Sequence, residues 1–235
     1  MRILAVSHLF PNSAEPRYGI FVARQLEAMI AEGAEIELIV PRLVSPPWLN
    51  TILGRPPRMN DRTTLLELRG GRVHGIRYFA RPGRSFKRRA GSAMHLAART
   101  TAKRLHQERP FDVVYGTDWF LGVAAGLRIA RELGLPSAGL AIGEDINVTA
   151  KQSAKDYRHF TEIAVGLSTT MACGDGLAQE IDSVRQDGRT LSVYGVVDLE
   201  RFTPVPDKRS IREKLGLPVS STLVTYVGYL WKRKG

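Results

Sequence analysis

Residues 111–142 read FDVVYGTDWFLGVAAGLRIARELGLPSAGLAI, and this stretch decides the fold class. Asp112 to Tyr115 is a short apolar run of strand length. Phe120 to Leu133 carries apolar residues at helical spacing, and Pro136 to Ile142 is a second buried run. Strand, helix, strand in about 30 residues is a crossover unit, and it pairs its two strands in parallel.

The same rhythm extends in both directions. Ile3 to Ser7 is a first strand. Gly19 opens a helix with Phe21, Val22, Leu26, Met29 and Ile30 on one face, and Gly33 stops it. Glu35 to Val40 is a second strand, ended by Pro41. Pro46, Pro47, Pro56 and Pro57 mark residues 42–64 as irregular. Leu65 to Leu68 and Val73 to Phe79 flank Arg69-Gly70-Gly71-Arg72, which predicts a hairpin. Residues 85–109 form a basic helix. Downstream, a helix covers much of 149–165, Ser168 to Cys173 is a strand, Leu177 to Ile181 a short helix and Leu191 to Tyr194 a strand. The expectation is an α/β, doubly wound parallel sheet of Rossmann-like form.

The character changes near Phe202. Thr203-Pro204-Val205-Pro206 reads as a linker, Ser210 to Leu215 as a short helix and Leu223 to Val227 as a fresh buried strand. We therefore expect a domain over 1–203, a linker over 204–220, and the first strand and loop of a truncated second domain over 221–235.

Composition narrows the function. The 235 residues are 43% hydrophobic and 24% charged, ordinary for a globular chain. One cysteine, Cys173, excludes an internal disulfide and Cys-rich zinc modules; it ends an apolar run and is expected to be buried. No stretch approaches the ~20 apolar residues of a membrane span. The apolar start is too short for a signal peptide, so a cytoplasmic location is expected. His8, His74, His95, His106 and His159 lack metal-ligand spacing, so no metal is expected. The net charge of +11 favours an anionic partner: a nucleotide diphosphate, an anionic lipid surface or nucleic acid.

The order of motifs resembles the N-terminal half of a family 4, retaining glycosyltransferase of GT-B fold, and within it bacterial envelope-polysaccharide enzymes of the teichuronic-acid type. Tyr18-Gly19-Ile20-Phe21-Val22 is similar to that family's first loop, where a helix N-terminus faces the donor diphosphate. Helix dipole and free N–H groups suit an anion there; the alternative is that Gly19 only permits a turn. Asp112 to Trp119 resembles the strand that ends in His-x-His, with Tyr115 and Thr117 in place of the histidines. Ile142-Gly143-Glu144-Asp145-Ile146-Asn147 resembles His-Gly-Ser-Asp-Ile-Asn, with Ile142 for the histidine. Tyr194 to Phe202 resembles a junction signature in which Phe202 packs the hinge. Val227 to Gly235 resembles a phosphate loop. Lys234 matches its diphosphate lysine, or is a solvated charge, and Tyr229 replaces its arginine.

Asp118, Glu144 and Asp145 follow strand ends, where open α/β sheets bind ligands. Asp118 and Asp145 are the catalytic candidates, with helix capping the alternative for Asp145 and Asn147. Thr117, Trp119, Glu144 and Asn147 are the acceptor-side candidates, and Gly19 and Lys234 the donor-diphosphate candidates. From Arg81 to Arg109 there are nine basic residues and one acid, Glu108. Arg84, Lys87, Arg88 and Arg89 could meet an anionic membrane or the acceptor, or form a solvated helix face with Leu96 and Leu105 in the core.

The resemblance implies sugar transfer from a nucleotide sugar to an envelope-glycan or lipid-linked acceptor. It implies no cofactor beyond the donor, and a largely inactive chain without its nucleotide-binding half. Three other classes compete with this one. A dinucleotide oxidoreductase needs G-x-G-x-x-G after the first strand, which is absent. A nucleic-acid binder has only the charge in its favour. A non-catalytic acceptor-binding or degenerate half-protein stays open.

Overall fold

The computed structural model describes residues 1–44, 64–80, 86–195 and 197–228. The chain divides into two compact units, Met1–Val196 and Val197–Gly235.

The first unit is a seven-stranded sheet, parallel throughout, in the order β3-β2-β1-β4-β5-β6-β7. Its strands are β1 Arg2–Val6, β2 Glu35–Leu43, β3 Arg72–Tyr78, β4 Val113–Thr117, β5 Ser137–Ala141, β6 Thr169–Ala172 and β7 Leu191–Ser192. The helices are α1 Ile20–Ala31, α2 Phe86–Glu108, α3 Ala124–Leu133, α4 Ala154–Gly166 and α5 Asp175–Arg185. Parallel strands need cover on both faces. Val22, Ala23 and Leu26 of α1 pack with Ile3, Ala5, Ile36, Leu38 and Tyr115. The alternate residues Leu4, Val6, Ile39 and Val114 pack under Ala90, Met94 and Ala98 of α2 and Ala125 and Ile129 of α3. The strand order reverses between β1 and β4, the place where such sheets open a crevice at their C-terminal ends.

Four expectations need correction. β2 runs through Pro41 to Leu43. The Ser7 N–H donates to the Ile39 carbonyl and the Val44 N–H to the Tyr78 carbonyl. Alternation therefore points the nitrogen of Pro41 past the end of β1, where no donor is needed. The hairpin is absent: β3 pairs with β2 in parallel. Leu65 makes one antiparallel bridge to Asn12, while Leu68 turns into the core against α1. The helix expected from 149 is broken. A π-helical turn Asp145–Thr149 and a 3-10 turn Ala150–Gln152 precede extended Ser153, whose side chain caps α4. Leu223 to Val227 is not a buried strand, for Val224 is 91% and Val227 90% exposed. Among the described residues no neighbouring strand pairs with it.

In the second unit, α6 spans Lys208–Lys214 and is capped by Asp207. Phe202 is exposed, with the Arg201 guanidinium 5.7 Å from its ring centre. Arg84, Tyr229 and Lys234 lie outside the described residues.

Candidate functional site

The C-terminal ends of β1 and β4 meet at the reversal point. Thr117 donates to the Ser7 hydroxyl at 2.7 Å, and Ser7 in turn accepts from the Leu9 N–H at 3.1 Å. After Thr117 the chain enters a π-helical segment, Asp118–Val123. Gly122 lies so close to β1 that a Cβ there would sit 2.6 Å from the Val6 carbonyl oxygen. These contacts hold His8 and Asp118 side by side.

His8 Nε2 stands 3.9 Å from Asp118 Oδ2. Both side chains are largely buried, at 18% and 15% exposure. Two of their polar atoms, His8 Nδ1 and Asp118 Oδ1, are buried with no hydrogen-bond partner. Orphaned buried polar atoms are rare and mark strain or a missing ligand. Asp118 also holds φ at +65°, a region non-glycine residues seldom enter. Burial, with the Asp145 carboxylate adding to it, pushes the Asp118 carboxyl up to about 7. Burial, with the Lys87 ammonium adding to it, pushes the His8 imidazole down to about 4. At neutral pH His8 is therefore uncharged and Asp118 about half ionised. The Tyr18 ring meets His8 edge-on at 6.4 Å.

The other catalytic candidate has a different job. Asp145 is 3% exposed and accepts four backbone N–H bonds. They come from Trp119 at 2.9 Å, Gly143 at 2.9 Å, Ile146 at 3.0 Å and Ile142 at 3.4 Å. It ties the turn after β5 to the turn after β4. Its carboxylate is committed to the backbone of these two turns and does not cap the helical turn that it opens, Asp145–Thr149, which has no side-chain cap bond.

The acceptor-side candidates divide. Trp119 belongs to the core: it is fully buried, and its indole N–H donates to the Phe160 carbonyl. Thr117 is buried and bonded to Ser7, so it supports His8 from below. Glu144 and Asn147 are exposed at the mouth. Tyr115 is buried and donates its hydroxyl to Gln25, and Ile142 is half-buried on the sheet face that α1 covers.

Gly19 is buried, with φ at +64°. A Cβ there would lie 2.6 Å from both the Leu9 carbonyl oxygen and the Phe10 nitrogen. The N–H groups of Ile20 and Val22 already donate to the Arg17 and Gly19 carbonyls. The fold itself thus requires glycine here. Gly19→Ala is expected to lower stability by about 2–4 kcal/mol in urea unfolding, from left-handed strain plus the backbone clash.

The basic residues that sequence places on a surface turn inward in part. Lys87 donates to the Thr149 hydroxyl at 2.7 Å and lies 3.9 Å from Glu144. Arg88 pairs with Asp156 at 3.0 Å. Arg89 is exposed. Leu105 is in the core, while Leu96 is 58% exposed. Cys173 is exposed rather than buried, because the chain leaves the sheet there into Gly174. Among the described residues no group of His, Cys, Asp or Glu could hold a metal ion, and no helix is long and apolar enough to cross a membrane.

The sequence reading does not include His8 or Thr149 among the site residues, and it places Lys87 only on a membrane or acceptor surface. For His8 a signal existed, since it directly follows the first strand. For Thr149 there was none, because its partner Lys87 is 62 residues away and the two meet only in the fold.

This chain matches no protein-family model. It is 26% identical, over its whole length, to the protein named teichuronic acid biosynthesis glycosyltransferase TuaC in Bacillus subtilis (strain 168), of which the match covers 60%. It is 28% identical over 138 residues to D-inositol 3-phosphate glycosyltransferase 2 of Catenulispora acidiphila, covering 53% of this chain and 31% of that protein. Both relatives are considerably longer than the part matched. Among solved structures, a UGT transferase from Siraitia grosvenorii, crystallised with UDP, superposes with a TM-score of 0.50 at 10% identity. That match spans 91% of this chain and 54% of the other, and the likeness is one of fold.

Proposed function

We propose that the chain is the acceptor-side half of a GT-B glycosyltransferase. The reaction moves a sugar from a nucleotide-diphosphate sugar to a hydroxyl of an envelope glycan or lipid-linked acceptor. The observation that carries this reading is the buried His8–Asp118 pair at the sheet's reversal point, with one orphaned polar atom on each partner. An acceptor hydroxyl that reached either atom would satisfy it. The end-to-end similarity to TuaC supports the choice of reaction, and teichuronic acid synthesis supports an envelope acceptor.

In this reading the acceptor oxygen bonds to the anomeric carbon while the bond from that carbon to the diphosphate oxygen breaks. Basic groups and helix N-termini stabilise the departing diphosphate electrostatically, without a resident metal. Lys234 supplies one such charge. Gly19 lets α1 begin close to the Leu9–Phe10 backbone and shapes the crevice floor. The groups that hold the nucleotide belong to a second half, so these 235 residues alone turn over little or nothing. Arg84 and Arg89 serve an anionic membrane surface at which a lipid-linked acceptor is presented.

Family 4 resemblance makes the reaction retaining, with the acceptor proton passing to the leaving phosphate oxygen. A second reading comes from His8. An uncharged, buried imidazole with a vacant Nδ1 can take that proton itself, and displacement from the opposite face then inverts the anomeric carbon. One experiment separates the two. The native-length protein is incubated with a panel of nucleotide sugars and envelope-type acceptors, and the anomeric configuration of the product is read by NMR. Retention supports the first reading and inversion the second. No nucleotide release with any donor overturns both.

A further inference from the structure

We infer that Gly91 of α2 is a positioning residue for Asp118: its bare Cα is the surface on which the π-helical turn carrying Asp118 is seated. The inference rests on the glycosyltransferase reading for the role of Asp118, and it adds α2 to the parts that set the site's geometry.

Gly91 lies in the second turn of α2 and is buried. A glycine inside a helix weakens it, because it surrenders more backbone freedom than any other residue. The compensation lies across the interface. A Cβ at Gly91 would sit 2.5 Å from the Phe120 carbonyl oxygen and 3.0 Å from the Ala124 Cβ. The carbonyl is backbone and cannot swing aside as the end of a long side chain would. Phe120 belongs to the turn Asp118–Val123, two residues after Asp118. Its N–H and that of Leu121 act on the Asp118 carboxyl. A displacement of this backbone therefore moves the carboxyl relative to His8, which stands 3.9 Å away.

The turn has no room to give on its other sides. A Cβ at Gly122 would lie 2.2 Å from the Thr117 carbonyl oxygen, and one at Gly116 2.5 Å from the Val123 Cα. A residue in a sparsely populated conformation persists only where its surroundings over-determine it, and Asp118 at φ +65° is such a residue. Gly116 and Gly122 belong to β4 and to the turn itself, whereas Gly91 brings in a separate element. That element is pinned one turn before Gly91. Lys87 donates to the Thr149 hydroxyl at 2.7 Å and Arg88 to the Asp156 carboxylate at 3.0 Å. The helix is thus a fixed stop against which the turn closes.

The test is Gly91→Ala in the 235-residue chain, with no donor or acceptor. Alanine for glycine inside a helix ordinarily stabilises; here the urea midpoint is expected to fall. Tight packing alone would also lower it, so NMR supplies a local readout. The amide resonances of residues 118–121 and the His8 ring resonances are expected to move. Exchange of the Phe120 and Leu121 amides should speed up about tenfold relative to that of Val114 in β4. Ala102→Gly, three turns further along the same buried face of α2, is the control. It should lower the midpoint and leave residues 118–121 and His8 unmoved. If Gly91→Ala does not fold, Arg88→Gln releases one of the pins and should move the same resonances by less. An unchanged or raised midpoint for Gly91→Ala, or resonance changes at 118–121 and His8 no larger than in the control, overturns the inference; unmoved resonances in Arg88→Gln do so where it stands in. No sugar is transferred in these measurements, so their outcome is separate from the fate of the glycosyltransferase reading.

Discussion

Asp145→Ala is expected to lower stability by about 3–5 kcal/mol, the range for removing one partner from a buried charged cluster. Four backbone N–H groups converge on this carboxylate, from Trp119, Ile142, Gly143 and Ile146. Alanine leaves all four without a partner in a region closed to water. A buried unsatisfied donor costs about 1–3 kcal/mol, and relaxation of the turn recovers part of the sum. Asp145→Asn keeps one accepting oxygen but sets an NH2 group against the remaining donors, so an intermediate loss is expected. Urea unfolding midpoints give the order wild type, Asn, Ala. The alternative, that Asp145 is itself a catalytic group, predicts something else: unchanged midpoints with activity lost. A second readout follows from position. Asp145 anchors the turn that presents Asp118, so the His8 ring resonances should move in the Asn variant although His8 does not touch residue 145.

The fold was legible where the chain obeys local rules. Residues 111–142 announce a strand, a helix and a parallel strand because periodicity switches from buried run to helical face and back. Tertiary context decided the exceptions. Pro41 stops a strand only when its missing N–H falls where a bond is needed, and here it points beyond the end of β1. Leu65 to Leu68 alternates like a hairpin arm, but Leu68 is claimed by the core under α1. A strand such as Leu223 to Val227 forms only with neighbours, and apolar composition alone cannot supply them.

The site was legible in outline. The rule that ligands gather at strand C-termini selects Asp118 and Asp145, and equally would have selected His8, which ends the first strand's run. Searching the histidines only for metal spacing hides it. The rule cannot tell Asp118 from Asp145, for both follow strands. The difference is the number of N–H groups that converge on each, a property of turns rather than of sequence spacing. Trp119 neighbours Asp118 yet is core, since the π-helical turn swings its indole toward Phe160. Lys87 reads as one of a run of surface charges until the fold brings Thr149 to it.

The pair's titration yields the last expected result. Asp118 has its carboxyl raised from 3.8 to about 7 by burial and Asp145. A raised value favours the native state at low pH: its contribution is complete below about 4 and is lost as pH rises through 7. His8 has its imidazole lowered from 6.5 to about 4 by burial and Lys87. A lowered value works the other way: its contribution is complete above 6.5 and is lost as pH falls through 4. Between pH 4 and 6.5 the two slopes oppose each other, and wild-type stability should be nearly flat with respect to this site. Each single variant exposes the other partner's slope. Asp118→Asn, tolerated at φ +65° because asparagine accepts that conformation, should gain stability as pH rises from 4.5 to 6.5. His8→Gln should lose stability over the same interval. One proton per molecule gives about 1.4 kcal/mol per pH unit, so the two variants should diverge by several kcal/mol across this window. The opposition survives mutation because neither residue is a cause of the other's shift: burial dominates both, with Asp145 and Lys87 acting on Asp118 and Lys87 on His8. Urea unfolding at pH 4.5, 5.5 and 6.5 measures it. Parallel slopes in the two variants would show that the two groups are solvated, and with that the physical basis for a vacant hydroxyl seat between them would be gone.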